Sequence, residues 1–222
     1  PYRMVAREWR PEPTVVGLPR GRSVGGTELL IIAGPCSVEN PAQIRRTAAA
    51  VQAAGAAGLR AGAFKPRSSP YSFQGLGLEG LRLLALAREE TGLLIVTEAM
   101  DAEEMDFVAE TADIIQLGAR NMQNYSLLKH AGRSGKPILL KRGFGITLDE
   151  SLNAAEYLAS EGNRNVVFGL RGMKTNMGDP HRNFVDFAHV PVVKRLTRMP
   201  VCIDPSHSVG SRAASPDGIL DM

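Results

Sequence analysis

The stretch LLIVTEAMDAEEMDFVAETADIIQLGA, Leu93 to Ala119, holds one full turn of the pattern that decides the fold. Leu93–Met100 is a short apolar run rich in β-branched residues and reads as a strand. A helix is expected around Ala102–Thr111, and Asp113–Ala119 is again strand-like. Two strands separated by a single helix pair in parallel, because only a crossover connection brings the chain back to the same end of the sheet.

The alternation extends in both directions. Toward the N-terminus, LLIIAGPC (Leu29–Cys36) is bounded by Gly34 and Pro35 and is expected to be a strand buried on both faces. An alanine-rich helix in PAQIRRTAAAVQAAGAAG follows it and closes at glycine. LRAGAF then precedes a helix within Glu79–Thr91. Toward the C-terminus, helices are expected near Tyr125–Ala131, across Leu148–Ser160 and near Val190–Thr197. The strand-like runs between and after them are PILLKRG, NVVFGLRG and PVCIDPSH.

Seven strand-like runs, each about 20 to 35 residues from the next, point to an α/β fold, a (β/α)8 TIM barrel whose eighth strand-helix unit is missing from these 222 residues. A doubly wound open sheet is the alternative, but it would open on a glycine-rich turn, and AGPCSVEN is not one. Residues 1–28 are expected to form a linker or extension before the barrel, and 29–222 a barrel domain incomplete at its C-terminal side. The chain opens without an initiator methionine and stops at SPDGILDM, so both ends read as cut. A gap beside the first and seventh runs would expose unpaired backbone. Such a chain is expected to be poorly stable alone or to represent a longer molecule.

Composition narrows the function. An apolar fraction of 44% and a charged fraction of 22% are ordinary for a globular domain. No apolar run approaches the ~20 residues of a membrane span, and PYRMVAREWRPEP lacks the apolar segment of a secretory signal. Two cysteines make no disulfide framework, so a cytoplasmic location is expected, with no membrane partner. A net charge of +3 is too mild to suggest nucleic acid, but it leaves room for a local cationic cleft.

The ends of the runs supply that cleft. In a (β/α) barrel the active site forms at the C-terminal ends of the strands. Those ends carry Cys36, then Arg60, Lys65 and Arg67, then Glu98, Arg120, Lys141 and Arg142, Arg171, and finally Asp204 and His207. In AFKPRSSPYSFQG (Ala63–Gly75) two cations flank a proline and two serines follow, one sector of a bowl suited to phosphate and carboxylate groups. Cys36 and His207 can share a divalent metal; sulfur and nitrogen ligands suit Mn, Fe, Co or Zn better than Mg. A thiol nucleophile activated by His207 is the rival reading. Cys202, inside the seventh run, reads as core, and His130, His181 and His189 as solvent-facing or capping residues.

AGPCSVE, AGAFKPRSSPYSFQGLG, QLGARNMQN, PILLKRG and DPSH together resemble the metal-dependent 3-deoxy-D-arabino-heptulosonate 7-phosphate (DAHP) synthases of the compact microbial type I subgroup. PYRMVAREW resembles the linker after that subgroup's regulatory domain. The resemblance implies condensation of phosphoenolpyruvate with erythrose 4-phosphate to DAHP and phosphate, the first step of the shikimate route. It implies that Arg60, Lys65, Arg120, Lys141 and Arg171 hold phosphoenolpyruvate, while Pro66, Arg67 and Ser68 take the sugar phosphate. Lys65 would lie near the aldehyde, Glu98 would orient a water, and Cys36 and His207 would be metal ligands. The family completes its metal shell beyond the seventh strand; Asp217 and Asp221 follow His207 but cannot be matched to those positions. The resemblance also implies a homodimer or homotetramer. Pro66 and DPSH favour this family over its sister, the 3-deoxy-D-manno-octulosonate 8-phosphate synthases, which act on arabinose 5-phosphate. A truncated paralogue that binds phosphorylated ligands without turnover, and a Schiff base on Lys141, are the remaining alternatives. The loop after Arg171, with Lys174, Arg182 and Asn183, departs from the subgroup's pattern.

Overall fold

The computed structural model of the protein describes residues 2–178 and 182–208. A small antiparallel hairpin, β1 (Val16–Gly17) and β2 (Ser23–Val24), precedes a seven-stranded parallel sheet. The strands of that sheet are β3 (Ile32–Ala33), β4 (Gly58–Arg60), β5 (Leu94–Ala99), β6 (Ile114–Leu117), β7 (Ile138–Lys141), β8 (Val166–Arg171) and β9 (Val201–Asp204), and each pairs with the next. Between them run α1 (Pro41–Ala53), α2 (Leu78–Thr91), α3 (Ala102–Thr111), α4 (Tyr125–Arg133), α5 (Leu148–Ser160) and α6 (His189–Leu196). All seven expected runs contribute a strand, in chain order, as successive βα units of a barrel require.

One expectation fails locally. Of the run Leu29–Cys36 only Ile32–Ala33 is strand, and Leu29 and Ile31 are 88% and 54% exposed rather than buried on both faces. Among the described residues β3 is an edge strand, so nothing covers its open side. His181, Asp217 and Asp221 lie outside the described residues.

Side chains at the strand-to-helix junctions cap the helices. Asn40 Oδ1 accepts from Gln43 N at 2.8 Å with Pro41 opening α1, and Asp101 Oδ1 accepts from Glu104 N at 2.8 Å. Thr147 and Glu150 form a reciprocal capping box on α5. Each such cap is worth about 1 kcal/mol and fixes where the connecting loop ends. Because these loops leave the C-terminal ends of the strands, the caps also define the rim.

Strand alternation divides the interior in two. Leu59, Ile95, Ile115, Ile138, Leu140 and Phe168 face outward onto Ile44, Leu84, Met105, Leu127, Leu152 and Leu158 of the helices, and all are buried. The opposite parity, Leu94, Val96, Ile114, Leu139 and Val167, packs with Val16 and Leu18 of the hairpin region, which plugs the barrel floor. Two residues further along the same inward rows, apolar side chains give way to Glu98, Gln116 and Lys141, with Arg171 four residues beyond Val167. A strand has period 2, so one row serves first as floor and then as functional lining. The lead-in is tied to the barrel: the Glu156 carboxylate accepts from Met4 N and Val5 N at 2.8 and 3.1 Å. Among the described residues no helix is long and apolar enough to cross a membrane.

Candidate active site

At the C-terminal ends of the strands lies a cavity of about 730 Å³. Cys36, Arg60, Lys65, Pro66, Arg67, Ser68, Glu98, Arg120, Lys141, Arg171 and His207 all line it, so these expected site residues reach one space. Arg142 does not. It follows Lys141 and therefore points to the other face of β7, where its Nη2 donates to Ile146 O at 3.1 Å while its Nε and Nη1 are buried without partners.

The KPRSS loop is held at both ends. Lys65 N donates to Gln74 O at 2.8 Å and Arg67 Nε to Phe73 O at 3.0 Å. Gly75 closes the loop at φ 99°, where a Cβ would collide with the Ala63 carbonyl, so glycine is required. This closure aims Lys65 inward and leaves Arg67 and Ser68 on the outer lip.

Opposite charges meet at the base. Lys141 Nζ lies 2.6 Å from Asp204 Oδ2, and both side chains are almost enclosed. Burial lowers the Lys141 pKa and would raise that of Asp204, yet the lysine and Ser206 bring the carboxyl down to about 2. The short contact makes the pair ionic at neutral pH. Burial also lowers Lys65 and Arg171; for Arg171 the Asp204 carboxylate opposes that effect, and Arg120 and Arg182 reinforce it. Glu98, the acidic group among the lining residues, accepts from Gln116 Nε2 at 3.2 Å. Gly118 lies against that carboxylate so closely that a Cβ there would occupy its oxygen's place.

Cys36 and His207 come together as expected. A hydrogen bond with His207 lowers the thiol to about 6 against the effect of burial, helped by Lys65 and Arg60. Lys65 Nζ donates to the Cys36 carbonyl at 2.8 Å. His207 adopts a left-handed backbone, φ 63°, and its carbonyl accepts from Asn183 Nδ2 at 2.6 Å. That strained conformation is held because Arg182 N and Asn183 N both donate to Ser208 O. A thiol largely ionised at neutral pH beside an imidazole is a donor pair that fits Mn, Fe, Co or Zn. Among the described residues no His, Cys, Asp or Glu joins them as a third ligand.

Sequence reasoning missed several lining residues. Gln116 was legible in principle, since it stands at the inward parity of β6. Asp204, expected at the rim, does not line the cavity; it pairs with Lys141 from across β8 instead. Phe144 enters from the loop after β7, whose path no periodicity predicts, and Lys174, Arg182 and Asn183, in the loop that departs from the subgroup's pattern, also line the cavity. Cys202, read as core, packs against the floor residues, and burial pushes its thiol up to about 11. His130 pairs with Asp106 at 3.0 Å, and His189 lies 3.5 Å from Asp186 with its Nδ1 buried, so His189 is more enclosed than expected.

The chain is similar to known proteins in sequence and in fold. The DAHP synthetase I family matches residues 14–218. A phospho-2-dehydro-3-deoxyheptonate aldolase of Thermotoga maritima is 47% identical over 212 residues, covering 96% of this chain and 62% of its own length. The 2-dehydro-3-deoxyphosphooctonate aldolase of Syntrophotalea carbinolica is 35% identical over 195 residues, 83% of this chain and 68% of that protein. The crystal structure of the Thermotoga maritima heptonate aldolase (DAHP synthase) superposes with a TM-score of 0.90 at 43% identity, over 100% of this chain and 62% of that one. A truncated form of the Thermotoga maritima synthase gives 0.86 at 40% identity, over 98% of this chain and 77% of its own. The chain thus spans less than two thirds of the full-length heptonate relative.

Proposed function

We propose that this chain, which belongs to the DAHP synthetase I family, carries the site that condenses phosphoenolpyruvate with erythrose 4-phosphate to give DAHP and inorganic phosphate. One observation carries the reading. A single cavity gathers Arg60, Lys65, Arg67, Arg120, Lys141 and Arg171 around one carboxylate, together with the Cys36 thiol and the His207 imidazole. Two anionic substrates that must meet in a fixed register need such a field.

Arg120, Lys141 and Arg171 hold the phosphate of phosphoenolpyruvate, and Arg60 with Lys65 its carboxylate. Pro66, Arg67 and Ser68, on the lip, receive the phosphate of the sugar. The carbon–carbon bond forms between C3 of the enol and the aldehyde carbon, and the aldehyde oxygen takes up the electron pair. Lys65, lowered by burial, is a proton donor near that oxygen. Water then adds at C2, and phosphate departs as the tetrahedral carbon collapses to a ketone. Glu98, held by Gln116, orients that water and accepts its proton. Cys36 and His207 would hold a divalent Mn, Fe, Co or Zn ion, which when bound supplies Lewis acidity toward the aldehyde. A lead-in of residues 1–28, a barrel domain over 29–222, a cytoplasmic location and a homodimer or homotetramer belong to the same reading.

The test is phosphate release from phosphoenolpyruvate with erythrose 4-phosphate or arabinose 5-phosphate, in Mn²⁺ and again in EDTA. Metal-dependent release with the four-carbon sugar alone is expected. Release with arabinose 5-phosphate instead would reassign the substrate. Binding of phosphoenolpyruvate without release in any metal would make the chain a binder.

A further inference from the structure

Phe144 is the residue of the cavity that neither its sequence context nor the reaction scheme accounts for. It sits in the loop after β7, half-buried, with its ring in the cavity wall. Three cations surround that ring: the guanidinium carbon of Arg171 is 4.2 Å from its centroid, that of Arg120 is 5.6 Å away, and Lys174 Nζ is 5.7 Å away. They arrive from three places, the end of β8, the loop after β6 and the loop that follows β8. The backbone makes a further tie, since Lys174 N donates to the Phe144 carbonyl at 2.9 Å.

Among the described residues none of the three cations has a carboxylate within ion-pair distance. Left to themselves, like charges so close together would splay into solvent and have to be gathered again for each anion. An aromatic face attracts a cation without neutralising it. The ring therefore holds the three charges near one another while leaving their N–H donors unspent. It also keeps an apolar wall where a counter-ion or a water chain would otherwise sit.

We propose that Phe144 is a positioning residue for anion binding, the common seat on which Arg120, Arg171 and Lys174 are arrayed before a phosphoryl group arrives. The proposal makes Lys174 a third arm of the phosphate cradle and links the loop after β8 to it. It rests on the reading of this cavity as a phosphoenolpyruvate site only for the identity of the natural ligand; the cradle itself takes any tetrahedral dianion.

Phe144→Leu keeps apolar bulk and removes the quadrupole, while Phe144→Tyr and Phe144→Trp keep an aromatic face. Calorimetric titration of the intact chain uses two probes, inorganic phosphate and phosphoenolpyruvate, with thermal unfolding of each variant as the control. Loss of a shared seat for three cations weakens binding of both probes in Phe144→Leu by about five- to ten-fold. The expected result is that loss with unchanged melting, near-normal binding in the aromatic variants, and a KM for the four-carbon sugar within about two-fold of the parent. Unchanged affinity in Phe144→Leu, or an equal loss in all three variants, overturns the proposal. If the parent binds inorganic phosphate but not phosphoenolpyruvate, and Phe144→Leu weakens the former, the substrate assignment falls and the seat stands. If the parent binds neither, both fall.

Discussion

Lys141 and Asp204, on strands separated by β8, meet at 2.6 Å at the base of the cavity. The contact joins the two flanking strands across β8 and leaves one lysine nitrogen with a fixed direction. Removing one partner strands the other's charge in an enclosed place. Asp204→Ala is therefore expected to cost about 3 kcal/mol in denaturant unfolding, whereas the paired replacement Lys141→Met with Asp204→Leu costs less than either single change. Additive losses in that cycle would show the two groups to be independent.

The same pair sets an acid limit. A free aspartate titrates near 3.8, and this one near 2. A carboxylate whose pKa is depressed on folding contributes its stability in full above the unfolded value and loses it as pH falls through the folded one. Stability in the parent should thus decline between about pH 4 and pH 2 from this source, and the Asp204→Asn variant should lack that part of the slope. Parallel acid profiles for the two proteins would rule the pair out as the cause.

The two thiols should part chemically. Cys36, near 6, is mostly thiolate at pH 7, while burial keeps Cys202 near 11 and protonated. Iodoacetamide in EDTA at pH 7 is expected to give one adduct, on Cys36, with a rate that rises through pH 6, and added Zn²⁺ should protect it. Comparable labelling of Cys202 by mass spectrometry would contradict this. Cys36→Ala should abolish metal-dependent phosphate release while thermal melting stays close to that of the parent.

Gly118 guards the position of Glu98. Its φ is not in the left-handed region, so alanine is tolerated by the backbone, but the new Cβ would displace the carboxylate from Gln116. Gly118→Ala is expected to lower kcat by about ten- to a hundred-fold, the range of a lost acid–base contribution, with KM for phosphoenolpyruvate nearly unchanged. An unaltered kcat would remove Glu98 from the reacting centre.

Arg67, anchored by Phe73 O on the outer lip, stands apart from the inner cations. Arg67→Ala should raise KM for erythrose 4-phosphate about ten-fold or more while moving that for phosphoenolpyruvate little, as loss of one charge-assisted contact predicts. Steady-state kinetics with each substrate varied in turn decides it; equal effects would undo the separation of the two phosphate subsites.

Much of this was legible in one dimension because period-2 strands and short crossovers are local rules. Once Leu93–Met100, Asp113–Ala119 and the other runs are strands, the parity of each determines which side chains reach the rim, and Arg60, Glu98, Lys141 and Arg171 follow. The run at Leu29–Cys36 was misjudged because burial depends on neighbours that lie elsewhere in the chain. Arg142 was misjudged because a charge beside a charge looks like part of the same cluster until alternation turns it to the opposite face.

The amino-acid sequence by itself determined the order of strands and helices and the end of the sheet at which the charges gather. Each of these follows from local periodicity or from a motif carried in a few adjacent residues. Only the tertiary structure decided that Asp204 neutralises Lys141, that Gly118 yields its space to Glu98, and that one phenylalanine gathers cations from three segments. Those relationships are distances between residues far apart in the chain, set by sheet register and loop closure, which no single segment encodes.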